Sequence, residues 1–300
     1  MVSRPYRLGV MFAREGAPEE LIPFAHLLEE GGADDMWLVE DLGWAGSVAS
    51  AATALAATSR IRLGIGLAPA PLRNPALAAM EFAALARLHP GRLAVGMGHG
   101  VTDWMRQVGA AVPSPMALLE ETVLAVRGLL GGEAVTLRGR AVSLDGVTLV
   151  HPPRVVPPVL VGGVGPRTLR LAGRVGQGVL LIEGLSPRRV ADALALVTEG
   201  RAEAGAADQP QVPFETAALV YAHVTEDADA AARVVSEVQA SSASFLGIEP
   251  VEVVVASGPG EVVLEQLMTL VDAGVETLVV HLMGPDQAGQ VGALLAARRT

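Results

Sequence analysis

The sequence predicts an α/β fold built as one (β/α)8 (TIM) barrel that occupies residues 1–300 as a single domain. Three observations carry this. Short apolar, β-branched runs alternate with longer amphipathic stretches, and eight such runs are each followed by a helical one. The runs are apolar without alternation, as parallel strands covered by helices on both faces must be. No linker rich in Ser, Gly or Pro divides the chain, and its length suits the ~250 residues or more of a barrel of this kind. A doubly wound open sheet is the competing architecture, and the count of eight favours the barrel.

The elements follow in order. Residues 8–12 form a first strand and 18–32 a helix, with Pro18 near its start and Gly32 at its end. A second strand covers 36–39, and Ser47 is placed to cap a helix over 48–58. The third strand, 61–67, leads to Asn74-Pro75, an N-cap and first-turn pair for a helix over 76–88. The fourth strand is 93–97, and a helix spans 115–130. Residues 134–149 carry turn signals at Arg138-Gly139 and Asp145-Gly146 and read as an antiparallel excursion. The fifth strand, 159–161, precedes a helix over 167–173, and the sixth, 179–182, a helix capped by Ser186 and running to 204. The seventh is 216–224, followed by helices at 227–242 and 261–272 around an irregular piece. The eighth, 277–282, is closed by a helix over 285–298. Short insertions thus follow the fourth and seventh strands.

Composition removes whole classes of function. The chain has no cysteine, which excludes thiolate nucleophiles, iron–sulfur clusters and Cys-zinc sites. It has no lysine either, so Schiff-base, pyridoxal-phosphate and P-loop chemistry is excluded. With a net charge of −10, 3% aromatic residues and no basic tract, it offers nothing to nucleic acid. No apolar run reaches the ~18 residues of a membrane span, and the first ten residues lack a signal-peptide core, so no membrane partner and a cytoplasmic location are expected. The histidines form no metal-binding pattern such as HExxH, and no GxSxG is present.

In a barrel the chemistry lies at the C-terminal strand ends. After the fifth strand, Gly162-Gly163-Val164-Gly165-Pro166-Arg167-Thr168 opens a helix. Its glycines admit an anion to the backbone, and the helix N-terminus, Arg167 and Thr168 supply donors, which together read as a phosphate site; a ligand-free tight turn is the competing reading. Gly64 and Gly66 in the third strand, and Gly96 and Gly98 before His99 in the fourth, suggest a flat ligand lying on backbone, or else a crowded barrel corner. Glu40-Asp41 follows the second strand; at most one of the two faces the pocket, where it would do acid–base work, and a structural cap is the alternative. His99 and His281 also stand at strand ends, His223 is open to either role, and His26 and His89 read as structural.

These motifs together resemble the bacterial luciferase-like monooxygenase superfamily. The resemblance runs through residues 32–40, 62–67, Arg73-Asn74-Pro75-Ala76, 91–100 and 157–174, in order along nearly the whole chain. It implies a luciferase-like barrel holding reduced FMN or the deazaflavin coenzyme F420, with the deazaflavin enzymes the nearer relatives. It places the cofactor phosphate at Gly162, Gly163, Val164, Gly165, Pro166, Arg167 and Thr168, and the ring at Gly66, Leu67, Gly98 and His99. It also implies a non-proline cis peptide at Gly66-Leu67. Many members carry a histidine after the acidic residue of the second strand, and this chain has Glu40-Asp41 instead. Sugar-phosphate-oxidising members have a carboxylate at position 101 and lysines for the phosphate; here the position is Val101 and lysine is absent.

The expected function is therefore an F420-dependent oxidoreductase acting on a small, mainly hydrophobic substrate, with Glu40, Asp41 and His99 as catalytic candidates. The alternatives are an FMN-dependent monooxygenase fed by a separate flavin or F420 reductase, a non-catalytic flavin-binding barrel, and an unrelated phosphate-binding lyase. The resemblance also implies a homodimer. The segments around Trp104 and over 245–250 are the expected lids.

Overall fold

The computed structural model describes residues 6–204 and 213–299; residues 1–5, within the N-terminal stretch read above, lie outside the described residues. In chain order the elements are β1 (Arg7–Phe12), α1 (Leu21–Gly31), β2 (Asp35–Leu38), α2 (Ser47–Ala57), β3 (Arg62–Pro69), α3 (Pro75–Leu88), β4 (Leu93–Gly98), α4 (Thr102–Gln107) and α5 (Pro115–Leu130). They continue with β5 (Val135–Arg138), β6 (Ser143–Val147), β7 (Val159–Gly162), α6 (Pro166–Val175), β8 (Gly178–Leu181), α7 (Pro187–Glu203) and β9 (Glu215–Val224). Last come α8 (Ala228–Leu246), β10 (Val255–Gly258), α9 (Gly260–Asp272), β11 (Thr277–Leu282) and α10 (Gln287–Arg298).

Among the described residues, eight parallel strands close a barrel in the order β1-β2-β3-β4-β7-β8-β9-β11, with β11 returning to β1. The helix starts obey local chemistry. Asn74 accepts from the Ala76 amide at 2.9 Å and Ser186 from the Arg189 amide at 3.3 Å, each with proline as the first helical residue. The expected cap at Ser47 is not made. Gly46, extended at φ −70° and ψ 129°, takes the N-cap position, which leaves Ser47 inside the first turn, where its hydroxyl donates to the Glu40 carboxylate.

The excursion after the fourth barrel strand is the antiparallel pair β5–β6. The irregular piece after the seventh holds a strand the sequence does not announce. Residues 255–258 pair in parallel with the end of β9, where β8 is too short to reach. Residues 227–242, read as a whole helix, prove to be most of a longer one ending at Leu246, where Gly247 turns left-handed at φ 65°.

Side chains of one parity fill the barrel in layers. At the N-terminal end Asp35, 0% exposed, is ion-paired to Arg7 and to Arg62 (2.8 Å); Arg62 also meets Glu215 at 2.5 Å, and Glu215 accepts from the Thr277 hydroxyl at 3.0 Å. Above it Trp37, Ala94, Leu160, Leu180, Ala217 and Val279 pack the centre. The indole of Trp37 fits because β3 carries Gly64: a Cβ there would come within 2.2 Å of the ring. The other parity faces the helices and forms the larger core, with Leu8, Met36, Leu63, Val95, Val161 and Leu278 fully buried.

Candidate functional site at the C-terminal mouth of the barrel

The mouth is built from the residues that follow each strand. The Gly66–Leu67 peptide is cis, as the resemblance implies. The Leu67 side chain then turns onto β4 and β7, where a Cβ at Gly96, Gly98 or Gly162 would come within 2.8, 2.7 and 2.4 Å of it. These glycines are therefore small to seat Leu67. The corner is crowded by a side chain, the competing reading of these glycines, and Leu67 itself is partly exposed.

The turn after β7 fits an anion. Gly163, Val164 and Gly165 lead into α6, which Pro166 starts. No side chain caps this helix, and the first-turn amides of Arg167 and Thr168 have no intrahelical acceptor. Gly165 lies in the extended region at φ −74°, with nothing within 4 Å of where its Cβ would be. Gly163 differs: a Cβ there would stand 2.5 Å from the Thr168 Cγ2. The donor set suits a phosphate, being backbone amides at the positive end of a helix dipole with an exposed guanidinium beside them.

His99 stands at the end of β4 with Nε2 3.2 Å from the Thr168 hydroxyl, which ties the fourth strand to this helix start. Burial lowers its pKa, while the nearby Pro115 carbonyl pulls the other way without reaching normal hydrogen-bond geometry; Nδ1 is buried without a partner.

The two carboxylates of the second strand end are both engaged. Glu40, mostly buried, is held by Arg73 and by the Ser47 hydroxyl, and Arg73 also meets Glu81 at 3.0 Å. Asp41 pairs with Arg14 at 2.8 Å, which in turn bonds Glu15 and lies 5.8 Å from the centre of the Trp44 ring. Both are held in place by guanidinium partners.

A second polar group was not assembled from the sequence. Glu183 follows β8, Tyr221 is on β9 and His281 on β11. The His281 Nδ1 lies 3.3 Å from the Glu183 carboxylate, its ring centre 5.6 Å from that of Tyr221, and the Ser242 hydroxyl donates to the Tyr221 oxygen at 3.1 Å. Burial and the Glu183 charge raise the Tyr221 phenol. The signal was available: His281 shares the inward parity of Thr277 and Val279, and Glu183 is a lone carboxylate in an apolar stretch. By contrast His223 is buried with Nδ1 2.8 Å from the Met283 carbonyl, and His26 contacts the Ala57 carbonyl at 2.8 Å, so both serve structure.

The expected lids are ordered elements: Trp104 lies in α4, and residues 245–250 comprise the end of α8 and the turn after it. A cavity of about 440 Å³ opens at the opposite, N-terminal end between Tyr6, Arg7, Pro158, Phe214 and Thr277. It lies away from the strand ends where barrel enzymes place their chemistry. Among the described residues no helix is long and apolar enough to cross a membrane, and no three His, Asp or Glu side chains are grouped to hold a metal.

The model of the luciferase-like monooxygenase family matches residues 1–277. The chain is 31% identical to an F420-dependent glucose-6-phosphate dehydrogenase of Kineococcus radiotolerans, over 95% of this chain and 94% of that one. It is 30% identical to a 5,10-methylenetetrahydromethanopterin reductase of Methanolobus tindarius, over 74% of this chain and 66% of the reductase, and its match to the dehydrogenase of Beutenbergia cavernae spans 55% of that protein. Among solved structures, an F420-dependent secondary alcohol dehydrogenase bound to an F420–acetone adduct superposes with a TM-score of 0.85 at 21% identity over 98% of both chains. A monooxygenase of Streptomyces bottropensis superposes at 0.78 and 22% identity over 97% of both. The structural likenesses establish the barrel.

Proposed function

The chain belongs to the luciferase-like monooxygenase family, and from that premise we propose that it is an F420-dependent oxidoreductase that moves hydride between the deazaflavin and a small, mainly apolar organic substrate. The observation that carries this reading is the uncapped start of α6 behind the turn 163–165, an anion cradle at the edge of a mouth floored by Leu67. The relatives named for F420 support the choice of cofactor. When bound, the deazaflavin supplies two-electron hydride chemistry.

The chain's residues do the rest. The amides of Arg167 and Thr168 and the Arg167 guanidinium hold the cofactor phosphate. His99 fixes Thr168 and so the helix start. Met11, Val39, Leu67 and Leu219 form an apolar interior beneath the mouth that would exclude water from a bound cofactor. Glu40 and Asp41, locked by Arg73 and Arg14, shape the rim and set its charge. A sugar phosphate does not suit this mouth, which has carboxylates at Glu15, Glu40, Asp41 and Glu183 and no lysine.

Titration with oxidised F420 and with FMN, followed by fluorescence quenching, tests the reading. Preferential binding of F420 supports it, preference for FMN moves the chain to the monooxygenase reading with a separate reductase, and binding of neither refutes it. The homodimer that the resemblance implies remains part of the same proposal. Leu77, Met80 and Leu88 line one exposed face of α3, 48%, 58% and 74% accessible, and suit a second copy of the chain. Sedimentation velocity should show a dimer that Met80→Asp converts to monomer; a monomeric wild type refutes it.

A further inference from the structure

The reaction proposed above moves a proton as well as a hydride. When a carbon–hydrogen bond next to a hydroxyl or amine is oxidised, the hydride leaves with both electrons, and the O–H or N–H proton must go to a base. The sequence offers Glu40, Asp41 and His99 for this, and the structure occupies all three. Glu40 is clamped by Arg73 and Ser47, Asp41 is paired with Arg14, and His99 spends Nε2 on Thr168 while its Nδ1 is buried.

We propose that His281, oriented by Glu183, is the group that exchanges the substrate's proton. The inference rests on the F420 reading. His281 is the last inward-facing residue of β11, one layer above Val279 in the barrel interior, so its ring stands at the mouth. In the closed order β11 lies across the barrel from β4, so His281 faces the Leu67 and His99 side of the mouth rather than lying among it. Its Nδ1 is committed to Glu183 at 3.3 Å, and the Tyr221 ring packs against it. That geometry fixes Nδ1 as the protonated nitrogen and leaves Nε2, which makes no hydrogen bond among the described residues, as the free base. The histidine side chain is 20% accessible and Glu183 19%, so both reach the pocket while remaining held by it.

The step balances simply. The substrate's C–H bond breaks and its hydride, with two electrons, reduces the deazaflavin. The O–H or N–H bond breaks, its proton bonds to the His281 Nε2, and a C=O or C=N bond forms. The imidazolium, stabilised by Glu183, then releases its proton to solvent at the mouth. The charged and titratable groups around His281 are Glu183 after β8, Tyr221 on β9, and Glu15 after β1 with Arg14 bonded to it. Removing the Glu183 carboxylate takes away the group that orients the His281 ring.

The test uses the full chain with His281→Gln and Glu183→Gln, and 2-propanol as the hydride donor to F420. F420 affinity, read by fluorescence, should stay within about threefold in both variants, because neither residue lies at the phosphate turn. Reduction of F420 should fall about 100-fold or more in His281→Gln, the scale of a lost general base. Reduction should also fall, by about tenfold, in Glu183→Gln and return in large part in Glu183→Asp, which restores the carboxylate that orients the ring. A His281→Gln rate within threefold of wild type, or a Glu183→Asp variant no faster than Glu183→Gln, overturns the proposal. Should the wild type bind F420 but leave 2-propanol untouched, carbethoxylation decides. F420 should protect His281 from diethyl pyrocarbonate about tenfold and leave the exposed His151 reactive, and equal reaction at His281 with and without cofactor overturns the proposal. Failure of the wild type to bind F420 at all sinks the functional reading itself, a result distinct from any of these.

Discussion

Replacing Gly165 by valine isolates the anion cradle from the fold. At φ −74° and ψ 149° the backbone suits any L residue, and nothing lies within 4 Å of the added Cβ. The folded state therefore loses nothing, and the unfolded chain loses freedom, so stability should hold or rise by about 0.4–1 kcal/mol. The branched side chain would, however, stand in the open space before the amides of Arg167 and Thr168. A hydrogen bond from an amide to a charged phosphate contributes about 1.5–3 kcal/mol. Losing one of them weakens cofactor binding roughly 10- to 150-fold, at about 1.4 kcal/mol per factor of ten. Fluorescence titration with F420 reads the affinity, and thermal melting of the same sample reads the fold. Unchanged affinity would refute the placement of the phosphate, and a weakened fold would refute the reading of Gly165 as open. Gly163→Ala is the contrasting variant. Its Cβ would press to 2.5 Å from the Thr168 Cγ2, so it should lower both affinity and melting temperature.

Two further outcomes concern the frame that holds the site. Asp35→Ala should destabilise the barrel by about 3–5 kcal/mol in urea unfolding, because Arg62 and Arg7 lose their buried partner, a carboxyl that burial pushes up and the two guanidiniums hold below its usual range; a loss under 1 kcal/mol would show that the network is solvated. Glu29 lies where partial burial would raise its pKa, yet amides of Ile61, Arg60 and Ser59 bring it down to about 2 from 4.5. A depressed carboxylate contributes stability that is complete above about pH 4.5 and lost as pH falls through 2. Glu29→Gln should therefore be less stable than wild type at pH 7 by about 1–2 kcal/mol after solvent screening, with the gap closing across that window. Parallel urea curves at every pH from 7 to 2 would contradict it.

Much of this protein was legible in the residues alone. Parallel strands buried on both faces must be apolar throughout, so all eight barrel strands announced themselves, and the Asn74-Pro75 and Ser186-Pro187 starts held because a cap depends only on its own helix turn. The glycine-rich turn before Arg167 was legible for the same reason, because the uncapped helix start that follows it is a contiguous stretch of backbone.

The tertiary structure decided whatever depends on which strand end meets which. The Ser47 hydroxyl went to Glu40, and Arg73 reached across from the third strand end to clamp that carboxylate, so Glu40 is held by partners 7 and 33 residues away in the chain. Gly96, Gly98 and Gly162 proved to be space for Leu67, an outcome set by a side chain about 30 to 95 residues away. Strand β10 escaped notice because its partner edge on β9 exists only where β8 stops short. Glu183 and His281 stand 98 residues apart in the chain, and the barrel brings them within 3.3 Å. Local pattern encodes elements and their caps, because hydrogen bonding and hydrophobic periodicity are short-range; pairs of charges at a mouth are written only by closure of the barrel.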